Sequence, residues 1–143
     1  MATMQAFRKL VAIYLGVVGV GTAAQFVLQN FYDSTDALSD GWRIISWLMA
    51  VALVLMLAIV GHESRAAGHD PGAPVTRSWL TAKASLYATA FFALLFFWNW
   101  FTWEWGRSGV EHDLQYWRLI DTGVAILAIS TALRAWRAGP AES

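Results

Sequence analysis

The stretch WRIISWLMAVALVLMLAIV, residues 42–60, carries one charge at its second position, Arg43, and no other ionisable side chain. A helix needs about 20 such residues, at 1.5 Å rise each, to cross ~30 Å of hydrocarbon, and in lipid only a helix or a closed barrel satisfies its own backbone. A barrel strand would alternate apolar and polar residues, and this stretch does not. Windows of similar character lie at 10–28, 79–101 and 119–136. The expected fold is all-α: an integral membrane bundle of four transmembrane helices, forming a single transmembrane domain over residues 1–143.

Composition agrees. Of 143 residues, 57% are hydrophobic and 14% charged, well below the roughly 25% charged content of a soluble domain. Ten basic and ten acidic residues cancel, so net charge points neither to nucleic acid nor to an anionic surface. The absence of cysteine removes disulfides, thiolate nucleophiles, iron–sulfur clusters and cysteine-based zinc sites. Between the windows, residues 30–41 are polar and acidic, 61–78 contain Asp70-Pro71-Gly72-Ala73-Pro74, and 102–118 hold two glycines. These read as short loops. No internal repeat supports an inverted-repeat transporter.

Basic residues set the expected direction. Arg8, Lys9, Arg65, Arg77, Lys83, Arg134 and Arg137 share the side of the termini, against Arg43, Arg107 and Arg118 on the other, so the positive-inside rule places both termini in the cytoplasm. Arg8-Lys9, the apolar run after it and Gly21-Thr22-Ala23-Ala24 resemble a signal peptide; with the segment retained from Met1, an uncleaved first helix is expected. The last helix is expected to begin near 109, because Ser108 and Glu111 form a capping-box pattern, and to stop at Gly139-Pro140.

Residues 96–105, FFWNWFTWEW, are the most unusual segment. Its common reading is an interfacial aromatic belt. Trp98, Trp100, Trp103 and Trp105 nevertheless point in several directions around a helix, so some must meet another helix, another subunit or a ligand such as a cation. Asn99 is costly there unless it bonds a neighbouring helix or lines a polar cavity. Lys83 is near enough to a helix end to snorkel. Asp121, three residues inside the last window, either forms an i, i+3 pair with Arg118 or acts as an ion or proton site.

Glu104, His112 and Asp113 are weak metal candidates, with Glu111, Asp33, Asp36 and Asp40 near them if the loops meet. Consecutive residues 111–113 diverge by ~100° each, unlike i, i+3 or i, i+4 ligands, so a solvated helix start explains them better. His62 and His69 are expected in a loop, which leaves no pair of membrane-embedded haem ligands; no cofactor is expected. The string GVGTAA at 19–24 matches a dinucleotide fingerprint but lacks the strand–turn–helix context. Ala12, Gly16, Gly19 and Ala23 instead form a small-residue stripe for close packing, either inside the bundle or against another protein.

No catalytic grouping, phosphate-binding loop or paired intramembrane carboxylates appear, so no catalytic residues are assigned and no catalytic activity of its own is expected. The four-helix size resembles small multidrug transporters, but their hallmark first-span glutamate has no counterpart beyond Gln25 near the span's end. Chemical poverty beside packing richness points to a non-catalytic accessory or structural subunit of a larger membrane complex, with lipids and other membrane subunits as partners and no nucleic acid. The alternative is a small transporter or transport component using Asn99, Lys83 or Asp121; a third reading is an enzyme or metal site at the outer surface.

Overall fold

The computed structural model describes residues 2–31, 36–68, 72, 74–106 and 114–137. They form four long helices, α1 (Ala2–Leu28), α2 (Asp36–Ala66), α3 (Arg77–Trp105) and α4 (Leu114–Arg137), with a short 3₁₀ turn at Gln29–Phe31. Each contains a segment long and apolar enough to cross a membrane: Gln5–Leu28, Gly41–Ala66, Arg77–Trp105 and Gln115–Arg137. The all-α expectation holds, and every helix boundary except Leu28 moves outward from the hydropathy windows. Helix α2 runs past Gly61 and carries His62 on its last turns instead of in a loop. Helix α3 likewise extends to Trp105. Polar residues at headgroup level are competent helix formers, so the helix stops at a backbone breaker and not where hydrophobicity ends.

The breaker between α2 and α3 is local chemistry. Gly72 has φ 106°, a conformation that costs L side chains dearly and glycine little. Four residues on, Thr76 is extended and its hydroxyl accepts from the Trp79 backbone N–H at 3.2 Å, capping α3. The expected start of the last helix near 109 and its stop at Gly139-Pro140 lie outside the described residues.

Cross-helix contacts fix an up-down-up-down order. Trp47 meets Trp100 while Arg43 meets Glu104, so α2 and α3 are antiparallel. A side chain added at Gly123 would meet the Phe92 ring, and Phe96 meets Trp117, which makes α3 and α4 antiparallel. Tyr14 Oη donates to the Leu48 carbonyl at 2.8 Å, tying α1 to α2. A Cβ at Gly41 would lie 3.8 Å from Gln25 Nε2, so α1 is antiparallel to α2, and the start of α1 and the end of α4 lie at one end of the bundle, opposite the tryptophan-rich end.

The core runs through Leu15, Met49, Leu53, Met56, Phe96, Ile120 and Val124. Half of α4's apolar window is buried against 17% of α3's, so α4 is the central helix and α3 the most peripheral. Helix α4 earns its place with small residues: Ala125, Ala128, Ala132 and Ala135 are all buried at spacings of three, four and three. They oppose the small stripe of α1. Ala12 is buried, Gly16 faces Ala132, and Gly19 lies against Ala125, Ala128 and Ile129, while Ala23 is half-buried. The stripe is thus used inside the bundle, where small residues let two backbones approach.

Candidate functional site

Two places concentrate chemistry: the tryptophan-rich end of α2 and α3, and the buried carboxyl of α4. At the first, the tryptophans divide by direction. Trp100 is buried, with Trp47 edge-on at 4.6 Å and Phe96 stacked at 5.6 Å. Trp103 meets Trp117 of α4 edge-on at 6.0 Å. Trp98 is 76% exposed and Trp105 63%, although the Trp105 ring still touches Trp100 at 5.7 Å. Positions 100 and 103 therefore join helices, whereas 98 and 105 look outward. Such edge-to-face pairs contribute roughly 0.5–1.5 kcal/mol each beyond their buried area.

Above the Trp47–Trp100 contact, an Arg43 terminal nitrogen lies 3.5 Å from Glu104 Oε2. The pair is lopsided: the arginine side chain is 63% exposed and the glutamate 12%. Glu104 Oε1 and the Trp100 indole nitrogen are both buried without a hydrogen-bond partner. One is an acceptor, the other a donor, and they sit four residues apart on one face of α3. Glu104 is thus an ion-pair partner, and among the described residues no group of three or more His, Asp and Glu converges on a metal position. Glu111, His112, Asp113 and Asp33 lie outside the described residues, as do the side chains of Asp36 and Asp40.

Asn99 has a partner on its own helix: its amide nitrogen donates to the Leu95 carbonyl at 2.8 Å, four residues back. Thr102 and Thr122 do the same with Trp98 and Arg118. Backbone carbonyls one turn back are always within reach of a short polar side chain, and the bond shields it without a partner helix. Lys83 is half-buried near the start of α3 and pairs with no carboxylate among the described residues.

Asp121 is 6% exposed. The i, i+3 pair with Arg118 does not form: Arg118 is exposed, Asp121 faces inward, and neither ion pair of the described residues includes them. Three residues advance a helix by ~300°, which leaves the two side chains ~60° apart, enough at this position to put one out and one in. Thr22 of α1 and Thr89 of α3 are likewise buried, with hydroxyls that have no hydrogen-bond partner among the described residues. An ionisable group inside an apolar span is a functional candidate by default, because its burial costs free energy that packing alone does not return.

At the termini end, Glu63 of α2 and Arg134 of α4 are 3.6 Å apart. They border an open cleft of about 660 Å³ between the last turns of α2 and α4 and the first turns of α3. The sequence offered no signal for it beyond the charges themselves.

Comparison with known proteins finds no matching family model, no matching curated sequence and no matching solved structure. The bundle's own geometry is what bears on function.

Proposed function

We propose that the chain is a multi-pass integral membrane protein serving as a non-catalytic accessory or structural subunit of a larger membrane complex. The observation that carries this reading is the outward face of α3. Leu80, Tyr87, Phe91, Leu94, Trp98, Phe101 and Trp105 are all exposed, at spacings of seven, four, three, four, three and four. That is the 3.5-residue seam that a second helix packs against, and it lies on the helix that the bundle buries least. Lipid covers an apolar face without needing a regular seam of large side chains. The seven-to-three distribution of basic residues supports cytoplasmic termini; a green fluorescent protein fused after Ser143 that stays dark would contradict that orientation.

The test is purification in mild detergent with mass measurement. The expected result is a defined complex whose other subunit is lost when Phe91, Leu94 and Trp98 are replaced together by alanine, with the helical content of the chain unchanged. A stable wild-type monomer without partners refutes the reading.

Asp121 supports a second reading, a small transporter or transport component with a polar intramembrane site. In reconstituted vesicles, proton- or cation-coupled flux that survives Asp121→Asn unchanged removes it.

A further inference from the structure

Helices α3 and α4 do not stay together along their length. At the tryptophan-rich end Phe96 reaches Trp117, and Phe92 occupies the space that a side chain at Gly123 would take. Toward the termini the cleft of about 660 Å³ opens. Its walls are small or hydroxylated where they come from α3, namely Ser78, Thr81, Ala82 and Ser85, with Arg77 at the rim. Ala66 and Ala67 of α2 and the Glu63–Arg134 pair close the other sides.

Charge and depth define what fits. Arg134 is already matched to Glu63, while Arg77 has no carboxylate partner among the described residues. Two arginines and one glutamate leave the lining with one net positive charge. Arg77 opens α3 at the positive end of its dipole, and Thr81 and Ser85 add hydroxyl groups along one wall. From Arg77 to Ser85 the wall is about 12 Å long at 1.5 Å per residue, so the cleft descends from the charged helix ends into the apolar part of the span. Its volume lies within the ~300–1,000 Å³ of small-ligand sites.

We propose that this cleft binds one phospholipid, its singly charged phosphodiester held by Arg77 beside the hydroxyl of Thr81, and the first methylenes of an acyl chain lying beside Ala82 and Ser85. A phosphodiester carries the single negative charge that the lining lacks. An amphipathic molecule also fills a cleft that is charged at its rim and small-walled at its base, where a free inorganic anion would fill the rim alone.

The test is native mass spectrometry of the full chain in mild detergent, offered phosphatidylglycerol and diacylglycerol with identical acyl chains. Wild type retains a single phosphatidylglycerol and only background diacylglycerol. Arg77→Gln lowers that retention about tenfold or more, as expected for loss of a charge-assisted contact, and Ser85→Leu, which fills the base, lowers it as well. Leu94→Ala, on the outward face of α3, leaves it unchanged. Arg77 is exposed, so its substitution decides the matter even if Ser85→Leu folds poorly. Equal retention of the two lipids, or undiminished retention by Arg77→Gln, overturns the proposal. Displacement of the lipid by excess inorganic phosphate alone also overturns it, by making the site one for free phosphate.

Discussion

Three glycines in α1 are chemically identical and structurally different, and their alanine variants should separate cleanly. A Cβ built at Gly19 would lie 2.8 Å from Ile129 Cγ1, 3.0 Å from the Ala125 carbonyl oxygen and 3.1 Å from Ala128 Cβ. One of those neighbours is backbone and another has no rotamer to change, so α1 must move away from α4 to admit the methyl group. Overpacking of this kind costs about 1–3 kcal/mol, against a gain of up to ~1 kcal/mol from replacing glycine in a helix interior. We expect Gly19→Ala to be destabilised by about 1–2 kcal/mol. At Gly16 the nearest atom is Ala132 Cβ at 3.8 Å, an ordinary contact, and at Gly21 nothing lies within 4 Å. Gly16→Ala and Gly21→Ala should therefore be neutral or stabilised by up to ~1 kcal/mol. The measurement is sodium dodecyl sulfate titration of the protein in mixed micelles, followed by tryptophan fluorescence. If Gly16→Ala loses as much stability as Gly19→Ala, or Gly19→Ala loses none, the register of α1 on α4 described above is wrong.

The same titration tests two further sites. Asp121→Asn keeps the shape of a buried side chain while removing its charge, so with no ion-pair partner among the described residues to abandon it should be as stable as wild type or more so; a loss above about 1 kcal/mol would reveal a charge partner for Asp121. Arg43 and Glu104 should respond unequally: Arg43→Ala leaves a carboxylate that is 12% exposed without its partner and should cost about 1 kcal/mol, while Glu104→Gln leaves an arginine in solvent and should cost less than half of that. Equal losses would mean that the glutamate is no more desolvated than the arginine.

Much of this architecture was legible because it follows from chain length and lipid thickness. A run such as 42–60, with a single charge at one end, admits few structures in hydrocarbon. Helix ends were less legible. Residues His62 to Arg65 look like loop by polarity, yet they extend α2 to Ala66 because nothing in them breaks a helix. Helix pairing was half legible. Gly16 and Gly19 announce a close approach, but their counterparts Ala125, Ala128 and Ala132 do not, since alanine suits any helix position. The cleft at the termini end was not legible at all: it joins Glu63, Arg77 and Arg134, and no local pattern links residues on three different helices.

The deeper reason lies in the surroundings of an apolar helix. In water the apolar face of a helix is its buried face, so periodicity in the sequence reveals the core. When the outside is as apolar as the inside, that contrast is gone. Trp98 and Trp100 are the same residue two positions apart, yet one is 76% exposed and the other 3%. What separates inside from outside here is size and the polar remainder. Helix α4 turns alanines inward while Leu119, Ile126 and Leu133 stay exposed, and α3 turns its bulk outward along the seam from Leu80 to Trp105. A helix that buries small residues has committed them to a backbone already beside it. A helix that exposes large ones in register leaves that face open, which is why α3, and not the better-packed α4, is the place to test the proposed partner contact.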